Sequence, residues 1–223
     1  MNLDTIRPAD LRYVVGLIAT DGCISRDGRH VNITSADKQY LETVRQILGL
    51  KIAIGKKRNG PRTSMSYHIQ IGSRSLVRFL TAVGLTPRKS LTIGSLEVPA
   101  YAFSDFLRGV IDGDGSIRAW IHPGNGLHQW ALMIFTASPS FALWLRLRIE
   151  ERFHVKGKVH RKQTERRHPI YIVKFGKLAM KIILQACYYP GSVALDRKRD
   201  LALECLRSPN KHRWYRDVIP RME

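Results

Sequence analysis

The sequence has 223 residues, of which 44% are hydrophobic, so the chain can bury the core of one large domain or of two small ones. Lys and Arg together number 37 against 18 Asp and Glu, which gives a formal net charge of +19 and favours a polyanionic partner. The sequence contains no run of about 18 apolar residues and no basic amphipathic helix, which excludes a membrane and leaves nucleic acid as the expected partner.

The N-terminal segment MNLDTIRPAD lacks the basic and then apolar pattern of a secretory signal. We therefore expect an intracellular protein, in the cytoplasm, the nucleoid or an organelle, and not a secreted one. Cys23, Cys187 and Cys205 match neither the spacing of a zinc site nor a disulfide framework, so reduced structural thiols are expected.

Two similar stretches divide the chain, YVVGLIATDGCIS at 13–25 and FLRGVIDGDGSIR at 106–118. Each is an apolar helix pattern that ends in Asp-Gly, and each is followed by a hairpin pattern, an amphipathic helix, a second hairpin and a further helix. The sequence thus predicts an α+β protein with two pseudo-symmetric αββαββα repeats. We place them at 1–86 and 102–223, joined by a linker region at 87–101 that holds Gly and Pro.

Small residues fall on one face of each motif helix, which predicts that the two helices pack closely. Asp21 and Asp114 would then lie side by side at a pseudo-twofold axis, where they repel each other and the helix dipoles. A divalent cation would relieve this repulsion, and Mg²⁺ suits hard oxygen ligands, water and phosphate. Each aspartate precedes a glycine, Gly22 or Gly115, that we expect to end its helix in the left-handed conformation. The small residues are Gly16 and Ala19 in the first motif and Gly109 and Gly113 in the second.

The two motifs in matching contexts resemble the LAGLIDADG homing endonuclease family in its single-chain, two-repeat form, over nearly the whole chain. The resemblance implies an enzyme that hydrolyses both strands of a long asymmetric DNA target across the minor groove, leaving short 3′ overhangs. It implies Asp21 and Asp114 as catalytic metal ligands for Mg²⁺, with Mn²⁺ tolerated and Ca²⁺ supporting binding without efficient cleavage. An intron-encoded or free-standing enzyme is expected, because both ends of the sequence lack the residues of a complete intein. A monomer is expected, because both repeats and both motif acids are on one chain.

Lys89 and Lys198 occupy equivalent places in PRKSL and DRKRDL, where the family often has a lysine that reaches the water around the metals. We therefore predict that both lysines are catalytic. The earlier motif acid is Asp112, but its counterpart is Ala19, so Asp112 is expected to be a structural carboxylate. Where the family often has a glutamine at the end of the second strand, this chain has Ser35 and Ala137.

The two antiparallel sheets are expected to form a DNA-binding saddle, with side chains reading base edges and basic loops contacting phosphates. Phe141 and Trp144 are assigned to the core, and His154, His160 and His168 show no ligand spacing. The predicted DNA contacts are Arg29, Asn32, Lys56, Lys57, Arg58, Arg62, His68, Gln70, Arg118, Trp120, Gln129, Arg161, Lys162, Arg166, Arg167 and Lys174.

Two alternatives remain. A catalytically inactive or dual-function protein of the same fold, such as an intron maturase or a transcription regulator, would bind DNA or RNA, and the presence of both motif acids favours the nuclease over it. An unrelated basic α+β RNA binder would use Asp-Gly only to end helices, and the duplicated register disfavours it.

Overall fold

The computed structural model of the protein describes residues 1–58, 65–124, 126, 128–164 and 168–209. It shows two successive units in which helices and strands follow the same order. The helices are α1 (Pro8–Asp21), α2 (Lys38–Ile47), α3 (Arg74–Val83), α4 (Phe103–Asp114), α5 (Pro139–Phe153), α6 (Lys177–Cys187) and α7 (Asp196–Arg207). The strands are β1 (Gly22–Ile24), β2 (His30–Ser35), β3 (Gly55–Arg58), β4 (Met65–Gly72), β5 (Gly115–Ile121), β6 (His128–Thr136), β7 (Lys158–Lys162) and β8 (Ile170–Gly176).

Each unit contains one four-stranded antiparallel sheet, and the strand order is β1-β2-β4-β3 in the first and β5-β6-β8-β7 in the second. This arrangement confirms the predicted α+β class with two αββαββα repeats. The second repeat has one additional helix, α7, and a longer first hairpin, because β5 pairs over seven residues where β1 pairs over three. The described helices include none that is long and apolar enough to cross a bilayer.

Short polar residues start the helices that follow the strands. The side chain of Asp37 accepts a hydrogen bond from the amide of Gln39 at the start of α2, and Ser138 accepts one from the amide of Phe141 at the start of α5. Such caps satisfy amides that have no partner within the helix. Pro139 then occupies the first turn of α5, where its missing N–H costs nothing.

Helices α1 and α4 pack against each other at the centre of the molecule. Two glycines meet at this contact, where an added Cβ at Gly16 would overlap the carbonyl oxygen of Phe106 and one at Gly109 would overlap that of Tyr13. Every residue of α1 from 13 to 19 is buried, and each large apolar side chain contributes about 1.5–3 kcal/mol by leaving water. The predicted close packing of the motif helices is therefore confirmed.

The prediction that Gly22 and Gly115 adopt the left-handed conformation is wrong. Their φ values are −83° and −80° and their ψ values are 151° and 154°, which is extended backbone. Each helix passes directly into a strand without a reversing turn. Crowding explains the glycines instead. An added Cβ would lie 2.6 Å from Ile18 Cγ2 at Gly22, and 2.6 Å from Ile111 Cα at Gly115.

The segment between the repeats packs on the core. After α3 ends at Gly84, whose φ is 104°, the chain forms short 3-10 helices at Lys89–Leu91 and Ala100–Ala102. Apolar side chains between them are buried, and the Ser138 hydroxyl donates a 2.5 Å hydrogen bond to the carbonyl oxygen of Ile93. The connection thereby fixes the position of Lys89 relative to the second repeat. The domain limits at 86 and 102 remain predictions.

Candidate active site and nucleic-acid interface

Asp21 and Asp114 are the last residues of α1 and α4, so the close packing of these helices brings both carboxylates to one place. A methyl group added at Gly113, beside Asp114, would lie 3.2 Å from Asp21 Oδ2. Both side chains are partly exposed. Since a helix C-terminus carries about half a negative charge, the site concentrates negative potential at a surface that remains open.

This environment raises the pKa of both carboxyl groups. Burial raises the pKa of Asp114 most, the charge of Asp21 adds to it, and Lys89 and Lys198 only partly oppose them, which leaves a pKa of about 6. Burial also raises the pKa of Asp21, against the opposing effects of the Tyr40 hydroxyl, Lys89 and Arg197. A bound cation would favour the ionised form of both groups.

The two predicted lysines occupy matching positions. The Nζ atom of Lys89 donates a 2.6 Å hydrogen bond to the carbonyl oxygen of Gly22, and that of Lys198 donates one to the carbonyl oxygen of Gly115. Each lysine therefore contacts the peptide that follows a motif aspartate. Burial lowers the pKa of Lys89, and burial together with the charge of Arg197 lowers that of Lys198 to about 8.

Two side chains beside the site escaped the sequence analysis. Tyr40 is buried on α2 and donates a 2.7 Å hydrogen bond to the carbonyl oxygen of Leu17, and its pKa is raised well above the usual value by burial and by the charge of Asp21. Arg197 precedes Lys198 and donates a 2.9 Å hydrogen bond to Asp37, the N-cap of α2. The cluster DRKRDL was the available signal for Arg197, whereas no motif in the sequence pointed to Tyr40.

Asp112 has the structural role that its missing counterpart predicted. Its buried carboxylate accepts hydrogen bonds from the hydroxyls of Tyr13 and Tyr188, at 2.7 and 2.6 Å, and from the amide of Leu195, at 2.8 Å. Leu195 is the N-cap of α7, which carries Lys198. Asp112 thereby joins α1, the end of α6 and the start of α7, and it does not reach the open surface.

The described residues fit a metal held largely by groups from outside the protein. Among the described residues, no three His, Cys, Asp or Glu side chains converge where a metal ion could bind. A metal site built only from protein ligands is therefore excluded for this part of the chain. The two motif carboxylates are hard ligands, and burial raises the pKa of both. This donor set suits Mg²⁺, which keeps several waters and binds phosphate oxygens.

The sheet register changes one predicted equivalence. Ile33 pairs with Gly22 and Ile134 pairs with Gly115, so Ser35 in the first repeat corresponds to Thr136 in the second. The predicted equivalence of Ser35 and Ala137 is therefore wrong by one residue, because β6 ends at Thr136. The position carries a hydroxyl in both repeats.

In the first sheet, Asn32, His68 and Gln70 share one face, because Asn32 pairs with Gln70 and His68 is two residues from Gln70. Lys57 pairs with Ser66 and belongs to the same face. Its neighbours Lys56 and Arg58 alternate to the opposite face, although all three are exposed. Arg29 is exposed in the turn before β2.

In the second sheet, Trp120 pairs with Gln129, and Arg118 and Lys174 share their face. By the pairing of Lys158 with Lys174, this face also holds Lys162 and two residues that the sequence analysis missed, Lys158 and His160. Arg161 alternates to the opposite face. Three predicted contacts, Arg62, Arg166 and Arg167, lie outside the described residues.

Comparison with known proteins gives a family model and several solved structures. Residues 9–84 match the model of a LAGLIDADG-like domain. No curated protein sequence matches the chain.

Three structures share the fold at low sequence identity. The homing endonuclease I-WcaI bound to its DNA recognition sequence has 11% identity and a TM-score of 0.59, with 84% of this chain and 85% of that chain covered. I-GzeII, a LAGLIDADG homing endonuclease in complex with a DNA target, has 10% identity and a TM-score of 0.54, with 94% and 100% covered. Full-length DUF199/WhiA from Thermatoga maritima has 14% identity and a TM-score of 0.57 over 91% of this chain, which spans 61% of that protein.

Proposed function

The chain has a LAGLIDADG-like domain at residues 9–84 and the two-repeat fold of LAGLIDADG homing endonucleases, and from this premise we propose that it is a site-specific double-strand DNA endonuclease. The substrate class is a long, asymmetric duplex, and the reaction is hydrolysis of one phosphodiester in each strand. The cofactor is a divalent metal, with Mg²⁺ as the natural ion and Mn²⁺ as an accepted substitute. We place the enzyme inside the cell, with access to DNA, as an intron-encoded or free-standing protein.

One observation supports this proposal above the others. Two carboxylates, Asp21 and Asp114, meet at the ends of two packed helices. Burial raises the pKa of both, and the charge of Asp21 raises that of Asp114 further. A protein that only binds DNA gains nothing from negative charge opposite a phosphate backbone. The pair is expected to be useful when a metal binds between the carboxylates and phosphate oxygens.

In this proposal Asp21 and Asp114 would be the protein ligands of the divalent metal. Bound Mg²⁺ would supply an activated water and neutralise charge on the leaving oxygen. Lys89 and Lys198 hold positive charge beside the two carboxylates, where it offsets charge that develops on the phosphate during hydrolysis. Their hydrogen bonds to the carbonyl oxygens of Gly22 and Gly115 hold these ammonium groups at corresponding positions in the two repeats.

The two sheets would read the target. Side chains on the common face of the first sheet, Asn32, His68 and Gln70, carry donors and acceptors that distinguish base edges in a major groove. Arg118, Gln129 and Lys174 provide the equivalent set in the second sheet. Lys56, Arg58 and Arg161, on the opposite face, are assigned to phosphate contacts at the strand edges.

The structural relatives support the same class of substrate. I-WcaI and I-GzeII are homing endonucleases that were solved with DNA, and I-SmaMI, with 13% identity and a TM-score of 0.52, was solved on an uncleaved DNA target in the presence of calcium ions. We expect this protein likewise to bind its target in Ca²⁺ with little or no cleavage, because Ca²⁺ activates water poorly.

The second candidate is a nucleic-acid-binding protein of the same fold without nuclease activity, or with a maturase or regulatory activity as well. The observation in favour of this candidate is the fold that this chain shares with DUF199/WhiA. Binding without cleavage does not need Asp21 or Asp114. This candidate therefore predicts that DNA is bound and that added metal causes no cleavage. The metal-dependence of cleavage therefore separates the two candidates.

A cleavage selection tests the proposal. Linear duplexes with a randomised central region are incubated with the protein in Mg²⁺, in Ca²⁺ and in chelator, and cut ends are ligated to adaptors and sequenced. We expect one recurrent target with short 3′ overhangs in Mg²⁺ only. Recovery of bound but uncut duplexes in all three conditions would instead support the binding protein.

We also propose that the enzyme acts as a monomer, because one chain already provides both carboxylates and both sheets. Sedimentation of the free protein should give a particle of about the chain mass, 25.5 kDa. A stable dimer in the absence of DNA would contradict this part of the proposal.

A further inference from the structure

A cavity borders the candidate active site on the side of the second repeat. Its volume is about 320 Å³, and its polar lining comes from Asp114, Thr136 and His168. Apolar walls are formed by Leu91, from the segment after Lys89, and by Phe135 and other residues of the second sheet. Ligand sites in proteins run from roughly 300 Å³ upward, so the cavity is large enough for a phosphodiester group with several waters.

Two of the three polar groups in this cavity make no hydrogen bond. The Thr136 hydroxyl accepts a 3.2 Å hydrogen bond from the amide of Ser138. For His168, the carbonyl oxygen accepts a 3.3 Å bond from Thr164, while no described residue bonds to its imidazole. The carboxylate of Asp114 is likewise without a hydrogen-bond partner among the described residues. A carboxylate and an imidazole thus face the same open space with their bonding capacity unused.

The first repeat has no histidine at the matching position. Thr136 pairs with Tyr171 and Ser35 pairs with Tyr67, so these two tyrosines are equivalent. Counting back three residues gives His168 in the second repeat and Ser64, which is outside the described residues, in the first. The imidazole is therefore specific to the Asp114 side of the twofold axis.

We propose that His168 is a further residue of the nuclease site, where its imidazole hydrogen-bonds the phosphodiester that faces Asp114. This inference rests on the proposed function. The two half-sites then differ in composition, although their aspartates and lysines match. The strand attacked at Asp114 depends on His168, and the strand attacked at Asp21 does not.

Strand-specific kinetics test the proposal on the full chain. The substrate is the duplex recovered from the randomised library, prepared in two forms that carry a label on one strand or on the other. Single-turnover rates for each strand are measured in Mg²⁺ for the wild type, His168→Ala and His168→Gln, and affinities are measured separately in Ca²⁺. His154→Ala is the matched control, because His154 is an exposed histidine at the C-cap of α5 that lies outside both sheets and does not line the cavity.

We expect His168→Ala to slow the cleavage of one strand by about 30-fold or more, with the other strand and the affinity in Ca²⁺ changed by less than about threefold. His168→Gln, which keeps a hydrogen-bond donor, should recover most of the rate. Imidazole added to His168→Ala should restore cleavage of the slowed strand only, a result that a purely structural role for His168 would not produce.

Three outcomes would overturn the assignment. Equal slowing of both strands would show that His168 supports the fold or the grip on DNA, and no slowing would show that the imidazole lies outside the reaction. A matching loss in His154→Ala would show that the effect does not depend on the place of the histidine in the cavity. If the wild type cuts no duplex at all, the proposed function fails together with the assignment. Normal cleavage by His168→Ala overturns the role of His168 alone.

Discussion

The two repeats agree closely where their motif helices meet and differ where each sheet extends away from that contact. Both have a glycine at the helix crossing, an aspartate at the helix end and a lysine bonded to the next carbonyl oxygen. By contrast, the first hairpin pairs over three residues in one repeat and seven in the other. The difference separates two tasks. Under the proposed function, cleavage of two strands would need the same groups twice, whereas an asymmetric target would need two different reading surfaces.

The largest expected effect concerns the shared part of the comparison. Asp21→Asn and Asp114→Asn should each reduce double-strand cleavage by at least about 10³-fold, because each removes an anionic metal ligand. Binding in Ca²⁺ should stay within a few-fold of the wild type, since the amide removes negative charge facing the DNA. Cleavage and affinity are measured on the selected duplex, with Asp200→Asn on exposed α7 as the matched control. Near-normal cleavage by either motif variant would break the equivalence of the two repeats.

The helix crossing provides the second test. Gly16→Ala and Gly109→Ala should each lower the free energy of unfolding by about 3 kcal/mol or more, because each Cβ would overlap backbone of the opposite helix. Urea denaturation gives this value. Gly94→Ala is the control, since nothing lies within 4 Å of its added Cβ. A large cost at one glycine and none at the other would show that the crossing is not symmetric.

The third test uses pH to examine the aspartates without metal. The pKa of Asp114 is raised from 3.8 to about 6, so between these pH values the unfolded state loses the proton first. The wild type should therefore lose stability as pH rises through this window, by at most about 3 kcal/mol, and stay level above it. Asp114→Asn should be the more stable protein near neutral pH and should converge with the wild type below about pH 4. Denaturation in chelator over this pH range measures the free energy of unfolding of both proteins. A difference between them that does not change with pH would contradict the prediction.

Asp112 tests a feature that only the second repeat has. Asp112→Ala copies the residue found at position 19 and leaves two tyrosine hydroxyls and the amide of Leu195 without their acceptor. We expect a loss of about 2 kcal/mol in the free energy of unfolding. The loss of three hydrogen bonds is partly offset, because the variant no longer buries a carboxylate. Asp200→Ala is the surface control. If Asp112→Ala left the free energy of unfolding unchanged, the second repeat would not need the hydrogen bonds to Asp112.

The smallest expected effect is that of the lysines. Lys89→Met and Lys198→Met should each slow cleavage by about tenfold, and by similar factors, because both ammonium groups bond to equivalent carbonyl oxygens. Single-turnover rates at saturating protein isolate this step from binding. Lys51→Met, at an exposed position, should leave the rate unchanged. Clearly unequal factors would sharpen the comparison by showing which lysine has the greater catalytic effect.

The sequence was sufficient to predict the features that repeat. The order of helices and strands, the close helix crossing and the structural role of Asp112 followed from comparing one half with the other. It was insufficient where the halves differ or where register decides the outcome. The one-residue error at Ala137 and the opposite facing of Lys56, Arg58 and Arg161 came from alternation that only the paired strands define. Tyr40 reaches the site by packing on α1 within the first repeat, and Arg197 reaches it through a contact with Asp37 of the other repeat. Local sequence patterns encode neither tertiary contact.

The crossing of α1 and α4 also constrains how the chain folds as it is synthesised. Residues 13 to 19 of helix α1 are all buried in the finished molecule, yet its partner α4 is not made until almost half of the chain has followed. Until then, the apolar surface of α1 that α4 later buries is accessible to solvent, to chaperones and to other nascent chains. Contacts between such distant segments form slowly, so the rate-limiting step of folding should be the docking of α4 on α1.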